Sequence, residues 1–304
     1  MLSKFWDKII EGLAEGWNGG MLLPAGGFWG MGLAAWVGRF GLPALQNFLN
    51  SVDVTQAVLL AFGGLFLLTV SSWLAQQLVR SALRMAEGYW PGPLARLSRW
   101  LAQRLSRRLQ GSKDRWQELA ARYEKERSHM TAVEMEEYTD LDAGLVLGYP
   151  RKPNLFLPTR LGNLLRAAEE YPDVRYGLET RITWPRLWPL LPDNEQKELA
   201  QARAALDDGA RLLVWGVFLV VWVIWAWWAL AAAAVLLVAG YLSMLEAAGV
   251  YGELLRAAYD LHRFDLYKAL HWKLPVSPAE EEKAGRALTQ FLHRGVAPEN
   301  FQYQ

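Results

Sequence analysis

The sequence predicts an all-α integral membrane protein: two transmembrane helical hairpins, four spans in all, joined to a mainly helical cytoplasmic domain. Three observations carry this expectation. Two long blocks, residues 54–79 and 212–245, contain no charged side chain. Of the 32 Lys and Arg, 29 lie after Val79, so basic charge is gathered beside those blocks. Tryptophan is abundant, with 16 residues, and its apolar ring and polar N–H suit a membrane–water boundary.

The totals exclude several classes. Basic and acidic residues number 32 and 31, which gives no electrostatic case for nucleic acid as a partner. Cysteine is absent, so there are no disulfides, thiol nucleophiles or Cys-based metal sites.

Residues 1–20 read as an amphipathic helix. Phe5, Ile9, Leu13 and Trp17 recur every four residues, a spacing that suits a bilayer surface or the protein's own body. Asp7, Glu11 and Glu15 interrupt the apolar core that a secretory signal would need.

The first hairpin is expected at 21–79. A helix rises about 1.5 Å per residue and the hydrocarbon core is about 30 Å thick, so about 20 apolar residues span it. Val54–Ala75 meets this, and Gly63–Gly64 at its middle would let another helix approach closely. Met21–Gly38 is uncharged but carries Pro24 and a run of glycines; it reads as a span, or as a re-entrant or interfacial segment.

Residues 212–248 pose a question of length. A single 34-residue helix from Leu212 to Leu245 would be roughly 50 Å long, more than tilt accommodates. Charge decides. Residues 80–109 hold seven Arg and one Glu, and basic flanks stay on the cytoplasmic side. The tail after Leu245 is also basic. A hairpin, Leu212–Trp227 and Trp228–Leu245, turning outside near Trp225–Trp228, keeps both stretches in one compartment. Ser51–Asp53 then lies outside and both termini lie in the cytoplasm, in a bacterial inner (plasma) membrane.

The cytoplasmic domain, 80–211, opens after Pro91-Gly92-Pro93, which stops the helix leaving the second span. Leu94, Leu97, Leu101, Leu105 and Leu109 recur at helical spacing with Arg96, Arg99, Arg104, Arg107 and Arg108 between them. That pattern fits a strip on anionic lipid headgroups, or a helix packing its Leu face on protein. Glu134, Glu136, Glu137, Asp140 and Asp142 form an acidic run without the ligand spacing of a calcium loop, so a solvated face is expected.

From Pro150, prolines recur at 153, 158, 172, 185, 189 and 192, so only Arg160–Glu170 reads as helix. Trp184, Pro185, Trp188 and Pro189 make an aromatic corner, and Asp193 is expected to cap the next helix. The strings PTRLGNLLRAAEEYP, RYGLET and WPRLWPLLP, followed by YGELLRAAYDLHRFDLYKALHWKLP, resemble a family of uncharacterised bacterial multi-pass membrane proteins. The resemblance covers roughly Pro150 onward. It implies paired spans before YGELLRAAYDL and assigns no activity or residue role.

Arg160, Asn163, Glu169, Arg175, Tyr176 and Arg186 are the candidate polar set, either an inner-face pocket or a network tying irregular backbone to the spans. Residues 249–304 are expected to hold two cytoplasmic helices, Glu253–His271 and one running to about His293. The second is expected to start with a Ser277–Glu280 capping box and to end at Gly295.

No nucleophile elbow, phosphate loop or His-Glu-x-x-His occurs. His262 and Asp265 alone are too few to hold a metal, so no catalytic residue, metal or cofactor is expected. Thr55, Gln56, Thr69, Ser72 and Gln76 are the candidate pore-lining groups. The expected function is a homo-oligomeric assembly in the bilayer, with a pore or channel as its finer form. A membrane-anchored scaffold binding a cytoplasmic protein is the alternative, and a membrane enzyme the third.

Overall fold

The structure, a computed structural model, describes residues 22–126 and 129–296. The helix expected over 1–20 and the extended end after 296 lie outside the described residues. Those residues form ten α-helices and no strand. They are α1 (Leu22–Phe40), α2 (Leu42–Ser51), α3 (Val54–Glu87), α4 (Leu94–Glu126), α5 (Ala132–Asp142), α6 (Arg160–Tyr176), α7 (Thr180–Leu187), α8 (Asp193–Leu219), α9 (Trp228–Ala269) and α10 (Pro278–Arg294). The chain divides into two compact units, residues 1–83 with 207–243, and 84–206 with 244–304.

In the first unit, Gly41 breaks α1 from α2 with φ 87, a conformation only glycine adopts cheaply. Asp53 caps α3. Its carboxylate accepts from the Gln56 N–H at 2.8 Å, and the Gln56 side chain accepts from the Asp53 N–H at 3.2 Å, so two orphan amides are satisfied reciprocally.

The core of this unit is aromatic: Phe28 and Trp29 of α1 meet Trp215, Phe218 and Trp222. Ser72, Ala75, Val79 and Leu83 turn one stripe of α3 inward. After α8 a short 3-10 turn, Val220–Ile224, leads to a break at Trp225–Trp227, where Trp225 and Ala226 N–H groups both close on the Trp222 carbonyl at 3.0 Å. The chain then returns. Gly216 packs against Ala233 and Leu237, and Gly240 against Gly209, Leu212 and Leu213, so the two segments run antiparallel at close range.

Two described helices, α3 and α9, are long and apolar enough to cross a membrane. The other two expected spans, 21–38 and 212–227, are not among them. Glycines, Pro24 and tryptophans dilute α1. Residues 212–227 are divided among the end of α8, a 3-10 turn and a loop. α9 is one helix of 42 residues, about 60 Å long, so the last expected span and the helix expected at Glu253–His271 are continuous.

The second unit is built on Leu178, Leu187, Leu255, Tyr259, Leu266, Tyr267 and Leu288, each at most 1% exposed. Two sequence expectations fail here. α6 continues through Pro172 to Tyr176, and α7 is helical with Pro185 inside it. Each proline removes one N–H, the one that would bond the Ala168 carbonyl in α6 and the Arg181 carbonyl in α7, and both helices continue across it. The Thr180 hydroxyl donates to the Glu169 carbonyl at 2.6 Å, and Gly177, at φ 70, closes the helix onto Asp173. The Ser277 capping box is also absent, since Ser277 precedes α10 without a side-chain cap bond. Gly295 does end α10, at φ 71. Asp193 lies inside the first turn of α8, whose leading carbonyl is that of Pro192, bonded by the Gln196 N–H at 3.0 Å.

Candidate functional site

A cavity of about 610 Å³ lies within the second unit. One wall is α6, with Arg166, Glu169, Glu170 and Asp173; another is the start of α7, with Glu179, Thr180, Arg181 and Trp184. Lys152, Asn154, Tyr89 and Tyr251 close it. α6 starts where it does because the Thr159 hydroxyl accepts from the Gly162 N–H at 3.1 Å and donates to the Glu87 carbonyl at 2.7 Å. Gly162 has no side chain to obstruct that carbonyl.

The charges in the cavity are mostly paired with one another. Lys152 Nζ lies 2.5 Å from Asp173, which holds the lysine above its usual range. Arg166 bonds Glu169 at 3.0 Å, donates to the Tyr89 hydroxyl and lies 5.6 Å over that ring. Burial raises the Tyr89 phenol. Glu170 is buried, and its carboxylate accepts from the backbone N–H of Arg151 at 2.6 Å and of Lys152 at 3.2 Å. It therefore fixes the loop that carries Lys152. Trp184 packs on Tyr259 at 5.9 Å and presents an aromatic wall. Such a lining suits a molecule carrying both polar groups and a flat face. It holds no nucleophile–base pair, and no metal-binding group of three His, Cys, Asp or Glu occurs among the described residues.

Of the six polar candidates, only Glu169 lines this cavity. Arg160 and Arg186 are exposed, and Arg186 bonds the carbonyl of Ile182 in its own helix. Asn163 is fully buried and satisfied by its own loop: it accepts from Leu157 and donates to Leu157 and Thr159, each at 2.8 Å. Arg175 and Tyr176 belong to a second cluster. There the Tyr171 hydroxyl donates to Asp260 at 2.9 Å, Tyr176 donates to the same carboxylate, and Arg175 lies 5.7 Å over both rings. Burial first, then the Asp260 carboxylate, raises both phenols. Arg263, 4.5 Å over Tyr176, continues the cluster to Glu281 at 2.5 Å.

Of the pore-lining candidates, Thr55, Thr69, Ser72 and Gln76 fall within about 100° of one another around α3, and Gln56 lies off that arc. Gln56 is the cap partner of Asp53. Thr69 is exposed and bonds back to Leu65 at 2.8 Å. Ser72 is 7% exposed, on the inward stripe, with Gln76 half-buried one turn on and Thr55 exposed. The acidic run forms α5 behind a Thr131–Glu134 capping box, with Glu137 on Arg115, Glu134 on Arg122 and Asp142 on Trp116. His262 bonds Asp265 at 3.2 Å, as its spacing allows, but its second partner is Glu195 at 3.1 Å, 67 residues away; no local signal reveals that pairing. Compared with protein-family models, with curated proteins and with solved structures, the chain matches none of them.

Proposed function

We propose that the protein is an integral membrane protein of four spans, in the hairpins 21–79 and 212–248, and that copies of it associate in the bilayer. One observation carries this reading. The most apolar 18-residue stretch of α3 is only 6% buried inside the chain, and that of α9 22%. The core helix of a soluble protein would be largely buried. Here Leu59, Leu60, Phe62, Phe66 and Trp73 are each more than half exposed, and Leu60 lies about 160° around α3 from Phe62. Such a surface is stable only in lipid or against another copy.

The close antiparallel packing at Gly216 and Gly240 favours a hairpin over a single long crossing. The basic residues after Val79 favour a cytoplasmic location for both ends in a bacterial inner membrane. In an oligomer, Thr55 and Thr69 supply exposed hydroxyls to a pore. The chain has no cysteine, so single cysteines report topology directly. Cysteines at Ser51 and Ala226 should react with an impermeant maleimide on intact cells, and one at Gly295 only after permeabilisation. Reaction at 295 on intact cells overturns the topology. A monomer in mild detergent and in cross-linked membranes overturns the assembly, and purified protein without conductance in planar bilayers overturns the pore.

The cavity favours a second reading, in which the helical unit binds a small polar molecule or a peptide and the spans anchor it. A stoichiometric partner or ligand carried through purification would favour this reading over the pore.

A further inference from the structure

α4 divides into two halves of different electrostatic character. In its second half, Arg115 pairs with Glu118 and Glu137, and Arg122 pairs with Glu134. In its first half no acidic residue occurs between Leu94 and Lys113. Arg96, Arg99, Arg104, Arg107 and Arg108 are all exposed there, and none makes an ion pair among the described residues.

The opposite face of this half is already occupied. The Ser98 hydroxyl donates to the Gly88 carbonyl at 2.8 Å, and Ser98 and Ala102 are buried. The exposed face is not purely charged. Leu94 is 45% exposed, Leu97 44% and Trp100 52%. With a helical turn of 100° per residue, Trp100 falls between Arg96, Arg107 and Arg104. The Arg104 guanidinium lies 5.3 Å over the Trp100 ring.

We infer that this face of α4, with Trp100 at its centre, docks on the headgroups of anionic lipid. The inference rests on the membrane reading above. Unpaired guanidiniums seek phosphate, and a headgroup layer also accepts an indole and two leucines, which water does not. The chain tethers α4 to such a surface, because it starts seven residues after α3 ends and Arg80 and Arg84 lie exposed in the last turns of α3. Guanidiniums interleaved with leucine and tryptophan fit a bilayer boundary better than a nucleic-acid backbone, which would leave the leucines in water.

The test uses the full chain reconstituted in vesicles of phosphatidylcholine with or without phosphatidylglycerol. A Leu97→Cys variant and a Gln117→Cys control each carry an environment-sensitive fluorophore. The docking surface requires emission at position 97 to shift blue and its aqueous quenching to fall several-fold only when phosphatidylglycerol is present. High salt should reverse this, and position 117 should not respond. Replacing the five arginines by glutamine should abolish the response, and the salt titration of the unaltered face is an independent check. Equal quenching in both lipids overturns the proposal. So does protection that persists in the glutamine variant, which would mark a protein contact, or a response produced in neutral vesicles by an added oligonucleotide. If instead the chain fails to float with the vesicles at all, the membrane reading has failed, which is a separate outcome.

Discussion

The indole of Trp222 occupies the space that a side chain at Gly32 would need, and its Nε1 donates to the Phe28 carbonyl at 3.1 Å. One glycine thus admits an indole, and one hydrogen bond satisfies its polar end. Gly32→Ala places a methyl group inside the ring's position. It should destabilise this unit by about 1–3 kcal/mol through overpacking. Gly30→Ala, where nothing lies within 4 Å, should be neutral. Thermal unfolding of the two variants in the same detergent measures the difference, and equal midpoints would show that the Trp222 contact is loose.

The approach of α10 to α6 is equally tight. A methyl group at Gly285 would collide with the Tyr176 carbonyl, and one at Gly177 with the Glu282 carbonyl. Thr289 stitches the two backbones, donating to Gly177 at 3.0 Å and accepting from the Glu179 N–H at 3.3 Å. Gly285→Ala should therefore release α10 and expose its last turns to protease. Thr289→Val should cost about 1–3 kcal/mol by leaving a buried carbonyl and amide unpaired. Limited proteolysis and chemical unfolding read the two effects.

These contacts explain which features were legible in the sequence. Breaks and caps were readable where a residue type dictates its own backbone. The break among the tryptophans at 225–227 and the Gly295 cap fall where expected, whereas α3 ends at Glu87, on Gly88 at φ 103, before it reaches Pro91. Pro172 and Pro185 misled because each deletes a single helical bond within a segment that packing holds: Pro172 is itself buried in α6, and Thr183 and Leu187 are buried on either side of Pro185 in α7. The candidate site was hardly legible. Glu169 lines the cavity, but Lys152, Asp173, Trp184 and Tyr251 come from four segments that no local spacing relates. Gln56, read as a polar group for a pore, is bound to Asp53, a pairing that its three-residue spacing did permit.

Glu170 gives a prediction about the cavity. Its carboxylate is the acceptor for two loop amides, so Glu170→Ala should free residues 150–155 and remove Lys152 from the wall. The cost should be about 1–3 kcal/mol for each amide left unpaired. Amide hydrogen exchange of this loop should accelerate, whereas Asp173→Asn, which breaks only the Lys152 pair, should leave the exchange of those amides unchanged.

The α4–α5 contact should respond to acid. Glu134 is held below the ordinary glutamate value of 4.5, first by the Thr131 N–H and then by Arg122; Glu137 is held down by Arg115. A carboxylate with a depressed folded pKa contributes stability that is complete above its unfolded pKa and is lost as pH falls through the folded value. The contact should therefore be constant from neutrality down to about pH 5 and loosen below it. Arg122→Gln should move that transition only partly toward the ordinary value, because the Thr131 amide remains. Exchange rates across 131–142 against pH test this, and loosening above neutrality would contradict it.

The return of the chain after Trp225–Trp227 depends on two glycines. A methyl at Gly240 would lie 2.8 Å from the Gly209 carbonyl oxygen and 3.0 Å from Leu212 Cβ, and one at Gly216 3.0 Å from Leu237 Cγ. Helices in lipid gain little from burying apolar surface against each other, so close backbone approach supplies much of their attraction. Gly240→Val should pry the segments apart, whereas Gly249→Val on the same helix, with nothing within 4 Å, should not. The unfolding midpoints of the two variants in one detergent measure the difference: that of Gly240→Val should fall below the unaltered chain's, and that of Gly249→Val should not. Equal midpoints would mean that the close approach at Gly240 does not hold the two segments together.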